Sequence, residues 1–295
     1  MCSRDVEKSI FIIGSGRSGT TILYNILAAH PELTWFSTIS NDHPGSRSWL
    51  RFQKLLDRAL GSYMQKRIIE PTRFSPYLTY LLQPNEGENI YTSYCGFDDD
   101  RRMTEDDYDA GVERKLKDLI IMHLQISGKR RFINKRTANT QRLRLINKMF
   151  PDAYYIHMIR DGRAVINSYL NVDWWDDTTL WWLGEKVSDC KRQGKDPVEL
   201  AAKHWRRNFE EISTNKGIFR NYIEIRYESF IKDPRKEIMR ITDFSNLSCP
   251  DNFKKLVPEN LPDRNYKWQE GLTDKQISIV MENTHDVLEK LGYAN

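Results

Sequence analysis

The apolar run Ile10-Phe11-Ile12-Ile13 passes directly into GSGRSGTTIL, residues 14–23. A short buried strand, a glycine-rich turn and a helix in immediate succession open an α/β sheet, and they aim the N–H groups and positive dipole of the helix start at an anion. Gly14, Gly19 and Thr21 match the frame G-x-x-x-x-G-K-[ST] of a phosphate loop, yet Thr20 occupies the lysine position and the loop's only cation is Arg17. The missing lysine would reach the β- and γ-phosphates. No strand-end aspartate supplies Mg²⁺ either, because the run Tyr154 to Ile159 ends in Arg160. The loop therefore suits a shorter anionic chain held without metal by backbone N–H groups and the hydroxyls of Ser18, Thr20 and Thr21.

The same strand signal recurs at Arg131 to Ile133, Tyr154 to Ile159 and Tyr222 to Ile225. These runs are short and do not alternate strictly, as strands buried on both faces of a parallel sheet read. Helical patterns lie between and after them. Asp196-Pro197 is a cap followed by proline at the first helical position, with Val198, Ala201, Ala202, Trp205, Phe209 and Ile212 at helical spacing. A second pattern starts at Thr273, continues through Ile277, Val280, Val287 and Leu291, and stops at Gly292. The expected fold is α/β: a doubly wound parallel sheet flanked by helices, P-loop-like, forming one domain over residues 1–295. Residues 40–100, with Pro44, Pro71, Pro76 and Pro84, read as helices joined by loops. Residues 173–195, with Trp174, Trp175, Trp181 and Trp182, read as a second insertion over the sheet.

The chain has 295 residues and a formal net charge of +4, which suits an anionic ligand but falls short of the basicity of a nucleic-acid-binding domain. Its densest basic run, Lys129-Arg130-Arg131, reads as a solvated turn feeding a strand. Cys2, Cys95, Cys190 and Cys249 are far apart, without the spacing of a zinc site or a disulfide framework, which favours a reducing compartment. No apolar stretch approaches the about 18 residues of a membrane span, and Cys2 stands where myristoylation needs glycine. The expectation is a cytoplasmic protein.

Beyond the loop, Arg17-Ser18-Gly19-Thr20-Thr21 resembles the 5′-phosphosulfate loop of the sulfotransferases that use 3′-phosphoadenosine 5′-phosphosulfate (PAPS). The tyrosylprotein and several bacterial branches carry arginine at the Arg17 position. MIRDGRAVINSYL, residues 158–170, is similar to that family's 3′-phosphate motif, a strand ending in arginine followed by a helix that carries a serine eight residues on. The resemblance implies that Arg160 and Ser168 hold the 3′-phosphate, the first through a planar guanidinium fork. An ion pair between Arg160 and Asp161 is the structural alternative. FINKRTANTQRLRLINKMFPDAYYIHMIRDGR resembles the tyrosylprotein branch and implies that Lys135 contacts the sulfuryl group and its bridging oxygen. EIRYESF, residues 224–230, is similar to the family's strand end whose tyrosine helps hold the nucleotide, so Tyr227 is either that residue or a core aromatic. The tail from Tyr266 to Tyr293 extends the resemblance over nearly the whole chain and brings Lys267 into question as a nucleotide contact or a surface residue.

The resemblance implies in-line transfer of a sulfuryl group to a hydroxyl of a small molecule, glycolipid or saccharide, with release of adenosine 3′,5′-bisphosphate and no metal. Arg17 and Lys135 are then the electrostatic catalysts. The proton acceptor has no obvious seat, because the family's base positions fall on Thr137 and, counting from Arg17, on Thr38. Nearby in the chain are His43, a residue type suited to proton transfer, and Asp42; Asp173 is a third candidate. Trp174 to Trp182, interleaved with aspartates, suggest an acceptor wall or the packing of an insertion. Two other readings stay open: a P-loop kinase, and a nucleotide-binding interaction module without activity.

Overall fold

The structure, a computed structural model, describes residues 4–69 and 80–293. Pro71, Pro76 and Cys2 lie outside the described residues. Five parallel strands form one sheet in the order β2-β3-β1-β4-β7, where β1 is Ile10–Ile13, β2 Leu33–Thr34, β3 Arg131–Lys135, β4 Tyr154–Ile159 and β7 Asn221–Arg226. A separate antiparallel hairpin joins β5 (Thr179–Leu180) to β6 (Glu185–Lys186). Each expected strand is present. β3 and β7 run past the apolar residues that announced them, because the polar residues Asn134, Lys135, Asn221 and Arg226 join the backbone ladder without needing apolar side chains. β2 and the hairpin have two-residue strands, too short for any periodic signal.

Alternation along β1 decides what each face buries. Phe11 and Ile13 point with Phe132 and Tyr155 into a cluster shared with the helices Ala110–Ser127 and Leu143–Met149. Ile10 and Ile12 point the other way, with Ile133, Ile156 and Met158, against the helices Thr20–Ala28 and Pro234–Phe244. Both faces of the sheet are thus covered, as a parallel sheet requires.

A third cluster packs the helix Gly162–Leu170 against Pro197–Asn215 and Asp274–Lys290. Their starts follow the sequence signals. The Asp196 side chain accepts from the N–H groups of Val198 and Glu199, and Thr273 forms a reciprocal capping box with Gln276.

One expectation changes in part. The basic run does turn into a strand with Arg130 exposed, but Arg131, the first residue of β3, is buried, donates to the Ser245 carbonyl and lies over the Tyr154 ring at 5.0 Å. Lys129 donates to the Pro31 carbonyl, and Arg130 pairs with Glu32. Arg131 is drawn inward because Ser245 and Tyr154 offer partners that sequence distance hides. Residues 40–100 hold helices joined by loops, as expected, among them a 23-residue helix, Arg47–Ile69, and a π turn at Ile90–Tyr94.

β1 is flanked by β3 on one side and β4 on the other, so the chain's direction of travel across the sheet reverses at β1. Ligands of open α/β sheets bind beyond the strand carboxyl ends at such a switch point. The helix Gly162–Leu170 is set there by a close contact: a Cβ on Gly162 would stand 2.7 Å from Trp205 Cζ2. Alanine gains less than about 1 kcal/mol of helix propensity, whereas overpacking costs about 1–3 kcal/mol. Gly162→Ala should therefore lower unfolding stability by about 1–2 kcal/mol in urea titration, and an unchanged midpoint would mean that Trp205 yields freely.

Candidate active site

The glycine loop leaves β1 and folds back on its neighbours. Gly14 takes φ 144°, with room for no Cβ beside the Met158 carbonyl oxygen, 2.7 Å away; Gly19 takes φ 91°, and a Cβ there would meet Tyr227 Cδ2 at 2.5 Å. Between them Arg17 holds φ 65°, the left-handed region, at a cost of about 1–2 kcal/mol for a residue with a side chain. That conformation leaves the Arg17 side chain exposed at the cavity, where its Nε donates to Ser168 Oγ at 2.8 Å. Thr20 and Thr21 line the cavity at the start of the helix Thr20–Ala28, whose first N–H groups have no helical acceptor. Ser18 does not: its side chain is buried away from the cavity lining.

Arg160 leaves the end of β4 and is held from three sides. Nη1 donates to the Arg17 carbonyl at 2.8 Å, Nε to Asn265 Oδ1 at 3.0 Å and Nη2 to the Arg264 carbonyl at 3.3 Å. Its guanidinium lies 4.2 Å from the centre of the Tyr227 ring. Burial lowers its pKa against the opposing pull of Tyr227, Glu228 and Asp161, yet an arginine stays ionised. Asp161 pairs with Arg163 instead. Tyr227, the first residue of the helix Tyr227–Lys232, is buried against both the loop and Arg160. Arg264 and Lys267 line the same end of the cavity.

Lys135 ends β3 and meets a carboxylate that the residue-by-residue reading missed. Glu86 Oε1 accepts from Lys135 Nζ, and Oε2 accepts from the Thr137 N–H at 3.0 Å and the Thr137 hydroxyl at 3.2 Å. Burial works against this charge, but Lys135 and the Thr137 donors outweigh it and hold the Glu86 carboxyl below the usual carboxylate range. The Glu86 side chain keeps 40% of its surface open and lines the cavity.

Its position comes from two devices. Segment 83–87 runs beside Phe36 to Thr38: the Thr38 N–H donates to the Gln83 carbonyl, the Asn85 N–H to the Phe36 carbonyl, and Ser37 bridges Pro84. Glu86 therefore arrives next to the place that counting from Arg17 assigns to Thr38. Following it, Glu88 and Asp99 pair with the fully buried Arg136, and Asp99 also pairs with Arg142. A local signal existed in Gln-Pro-Asn-Glu-Gly, a turn carrying an acid, but only a count across the long intervening insertion could have used it.

The cavity measures about 1140 Å³, larger than the about 300–1,000 Å³ of a site for one drug-sized ligand. Arg17, Arg160, Lys267 and Tyr227 line it together with Lys135, Glu86 and Thr137. The tryptophans divide. Trp174 and Trp181 face the cavity with Asp177 and Asn208, and Trp181 Nε1 donates to Asn208 Oδ1 at 3.0 Å. Trp175 is buried and stacks on Tyr169 at 4.6 Å, while Trp182 packs on the third core cluster. His204, also on the lining, is buried with an unpartnered Nδ1, and burial drops its pKa to about 4, so it is neutral at physiological pH.

His43 is not among the lining residues. It is exposed and stacks on Trp49 at 5.8 Å between ring centres. Asp42 and Asp173 are likewise absent from the lining. The short helix Thr38–Asp42, capped by Ser37, carries Asp42 and His43 along a path that leaves the cavity wall to segment 83–87. Among the described residues, no group of three or more His, Cys, Asp or Glu side chains is arranged to hold a metal ion.

Comparison with known proteins places this geometry in context. A putative protein-tyrosine sulfotransferase of Caenorhabditis elegans is 25% identical over 49% of this chain and 50% of its own length, so the chain spans about half of that relative. The omega-hydroxy-beta-dihydromenaquinone-9 sulfotransferase Stf3 of Mycobacterium bovis is 22% identical over 97% of this chain and 76% of its own. The crystal structure of sulfotransferase STF9 from Mycobacterium avium shares the fold, with a TM-score of 0.63 at 19% identity over 97% of this chain and 77% of that one. The family model described as "Sulfotransferase family" matches residues 9–251, which include the glycine loop, Glu86, Lys135, Arg160 and Ser168, and the chain belongs to that family.

Proposed function

We propose that this chain transfers a sulfuryl group from PAPS to a hydroxyl of a small-molecule, lipid or saccharide acceptor, with Glu86 as the proton acceptor. One observation carries the reading: Arg17, Lys135 and Glu86 converge on a single cavity at the carboxyl edge of the sheet. The two relatives compared above are described by a tyrosine and an omega-hydroxy acceptor, both hydroxyl-bearing.

The residues fit the donor. Thr20, Thr21 and the helix N-terminus suit its 5′-phosphate, Arg160 with Ser168 its 3′-phosphate, and Tyr227 the nucleoside. Transfer forms a bond from acceptor oxygen to sulfur and breaks the bond from sulfur to the bridging oxygen, whose electron pair leaves with adenosine 3′,5′-bisphosphate. The acceptor proton passes to Glu86. Charge grows on the leaving oxygen, so fixed cations there lower the barrier more than they tighten ground-state binding. Arg17 and Lys135 supply them, Arg17 without any proton to give because it stays ionised. Glu86 is ready for its part because the ammonium and hydroxyl around it favour the ionised form. The volume beyond the donor region, edged by Trp174 and Trp181 with Asp177, suits a flat or ring-shaped acceptor through stacking and hydrogen bonds.

Calorimetry without metal should show adenosine 3′,5′-bisphosphate binding in clear preference to ADP; preference for ADP would return the chain to the kinase reading, and binding of neither would remove the donor site. Arg160→Ala should cost the bisphosphate about 10- to 100-fold in affinity, the worth of one or two charged hydrogen bonds, and leave adenosine 5′-phosphate nearly unaffected. Equal losses for both ligands would remove the 3′-phosphate role.

Glu86→Gln should lower turnover by about 10²- to 10⁴-fold while bisphosphate affinity changes little. Because the Glu86 carboxyl sits below the usual carboxylate range, it is ionised and competent across pH 5–8 and is lost only as pH falls through its lowered pKa. The pH–rate profile should therefore be free of an acidic limb near 6.5, the signature of a histidine base. Lys135→Ala should lower turnover by about 10²- to 10³-fold with a much smaller effect on donor affinity, and an unchanged turnover would reject its part in the transition state.

A further inference from the structure

Away from the cavity, the helix Arg47–Ile69 presents an outer face with two different stripes. It carries six basic residues and one acid, Asp57. At about 100° per residue, Arg47, Arg58 and Arg51 fall within one narrow arc, and Leu55, Phe52 and Trp49 occupy the adjoining arc; Lys54, at the inner edge of the basic arc, is half-buried and lines a small pocket with Asp57 and Lys129. Leu50 and Gln53, on the opposite side, are buried against the protein. The apolar stripe is open to solvent: Trp49 is 40% exposed, Phe52 38% and Leu55 63%. Trp49 and Phe52 meet edge-on at 5.9 Å, and His43 stacks on Trp49 from outside the helix.

The basic stripe is unsatisfied. Arg47, Arg51, Lys54 and Arg58 make no ion pair among the described residues, whereas surface cations elsewhere do, as Arg206 does with Glu210 and Asp286. Asp57 lies toward the buried side, where it interacts with Lys129. Among the described residues, therefore, the arginines have no ion-pair partner, and the apolar stripe is met from outside the helix only by His43 on Trp49.

We propose that this helix docks the protein on an anionic lipid bilayer, lying in the plane of the surface with Trp49, Phe52 and Leu55 at the boundary between headgroups and acyl chains and Arg47, Arg51 and Arg58 at the headgroups. Trp and Phe beside Leu on one face, with Arg and Lys on the flank, is the composition of an in-plane interfacial helix. Charge complementarity selects the anionic lipid as occupant, since three arginines without an ion pair among the described residues, next to an apolar stripe, gain from headgroup phosphates at the same depth at which the apolar side chains leave water. A nucleic acid would use the cations and leave the tryptophan, phenylalanine and leucine in water. No described helix is long and apolar enough to cross a membrane, so attachment through this helix is at the surface.

The test is flotation of the full chain on vesicles of phosphatidylcholine alone and of phosphatidylcholine with phosphatidylglycerol, with unfolding midpoint and bisphosphate affinity measured on the same preparations. Enrichment on the anionic vesicles that weakens with salt is expected. Each basic residue near such a surface is worth about fivefold, so the variant Arg47→Gln/Arg51→Gln/Arg58→Gln should weaken partition by about a hundredfold. Trp49→Ser/Phe52→Ser/Leu55→Ser should weaken it at least about tenfold. Both should keep bisphosphate affinity, because these residues lie outside the cavity lining. If a triple variant does not fold, the single changes Phe52→Ser and Arg51→Gln take its place, with smaller losses expected.

The proposal is overturned by equal or absent binding to the two vesicle types, or by enrichment that survives both sets of changes. A concentration-dependent dimer that the serine variant abolishes would also overturn it, assigning the face to a second copy of the chain. Salt-sensitive binding of a nucleic-acid duplex without vesicle enrichment would do the same. Failure of bisphosphate binding in the unaltered protein would count against the donor site alone, since flotation does not depend on it.

Discussion

Parallel pairing of β1 with both β3 and β4 is the constraint on which the rest depends. The ladders set Ile12 opposite Lys135 and Ile13 opposite His157, three residues before Arg160. Three strands that end on one edge deliver the glycine loop, Lys135 and Arg160 to the same crevice, although 118 and 143 residues separate Arg17 from the other two (135 − 17 and 160 − 17). An antiparallel neighbour would have put its chemistry at the opposite edge. The loop then closes on its surroundings through Gly14 against β4 and Gly19 against Tyr227, and Arg160 binds the loop carbonyl back to β4.

The electrostatics of the crevice rest on a second, denser set of charges. Arg136 and Arg142 are both fully buried, and Asp99 stands between them. Arg136 Nε and Nη1 and Arg142 Nε find no acceptor, so this network is not optimised for stability. What it accomplishes is placement. By holding Glu88 and Asp99 against the end of β3, it fastens the segment that begins at Glu86, and the Asn134 side chain donates to the Glu86 carbonyl at 3.1 Å from the strand itself. A carboxylate delivered by a long insertion is thereby held as firmly as one carried on the sheet.

The outer parts of the molecule divide between packing and exposure in a way that composition hides. Four tryptophans crowd residues 174–182, but the 3₁₀ turn Asp173–Asp177 and the hairpin after it send Trp175 and Trp182 inward and leave Trp174 and Trp181 on the cavity. Similarly, the apolar residues of Arg47–Ile69 split between a buried side with Leu50 and an open stripe with Trp49, Phe52 and Leu55. In both segments the number of apolar residues exceeds what the local core can take up, and the surplus faces solvent or the cavity.

The sequence by itself determined the elements that local chemistry dictates. The strand, glycine loop and helix were legible because only glycine tolerates φ 91° beside an aromatic ring. The capped helices at Asp196 and Thr273 were legible because caps act within three residues. The resemblance to the sulfotransferases singled out Arg17, Lys135, Arg160, Ser168 and Tyr227, and all five line the one cavity. The tertiary structure alone decided the place of Glu86, the departure of His43 from the cavity, the burial of Ser18 and the inward turn of Arg131. Glu86 and Arg131 take their partners, Lys135 and Ser245, from more than thirty residues away, and no residue count along the chain carries that information.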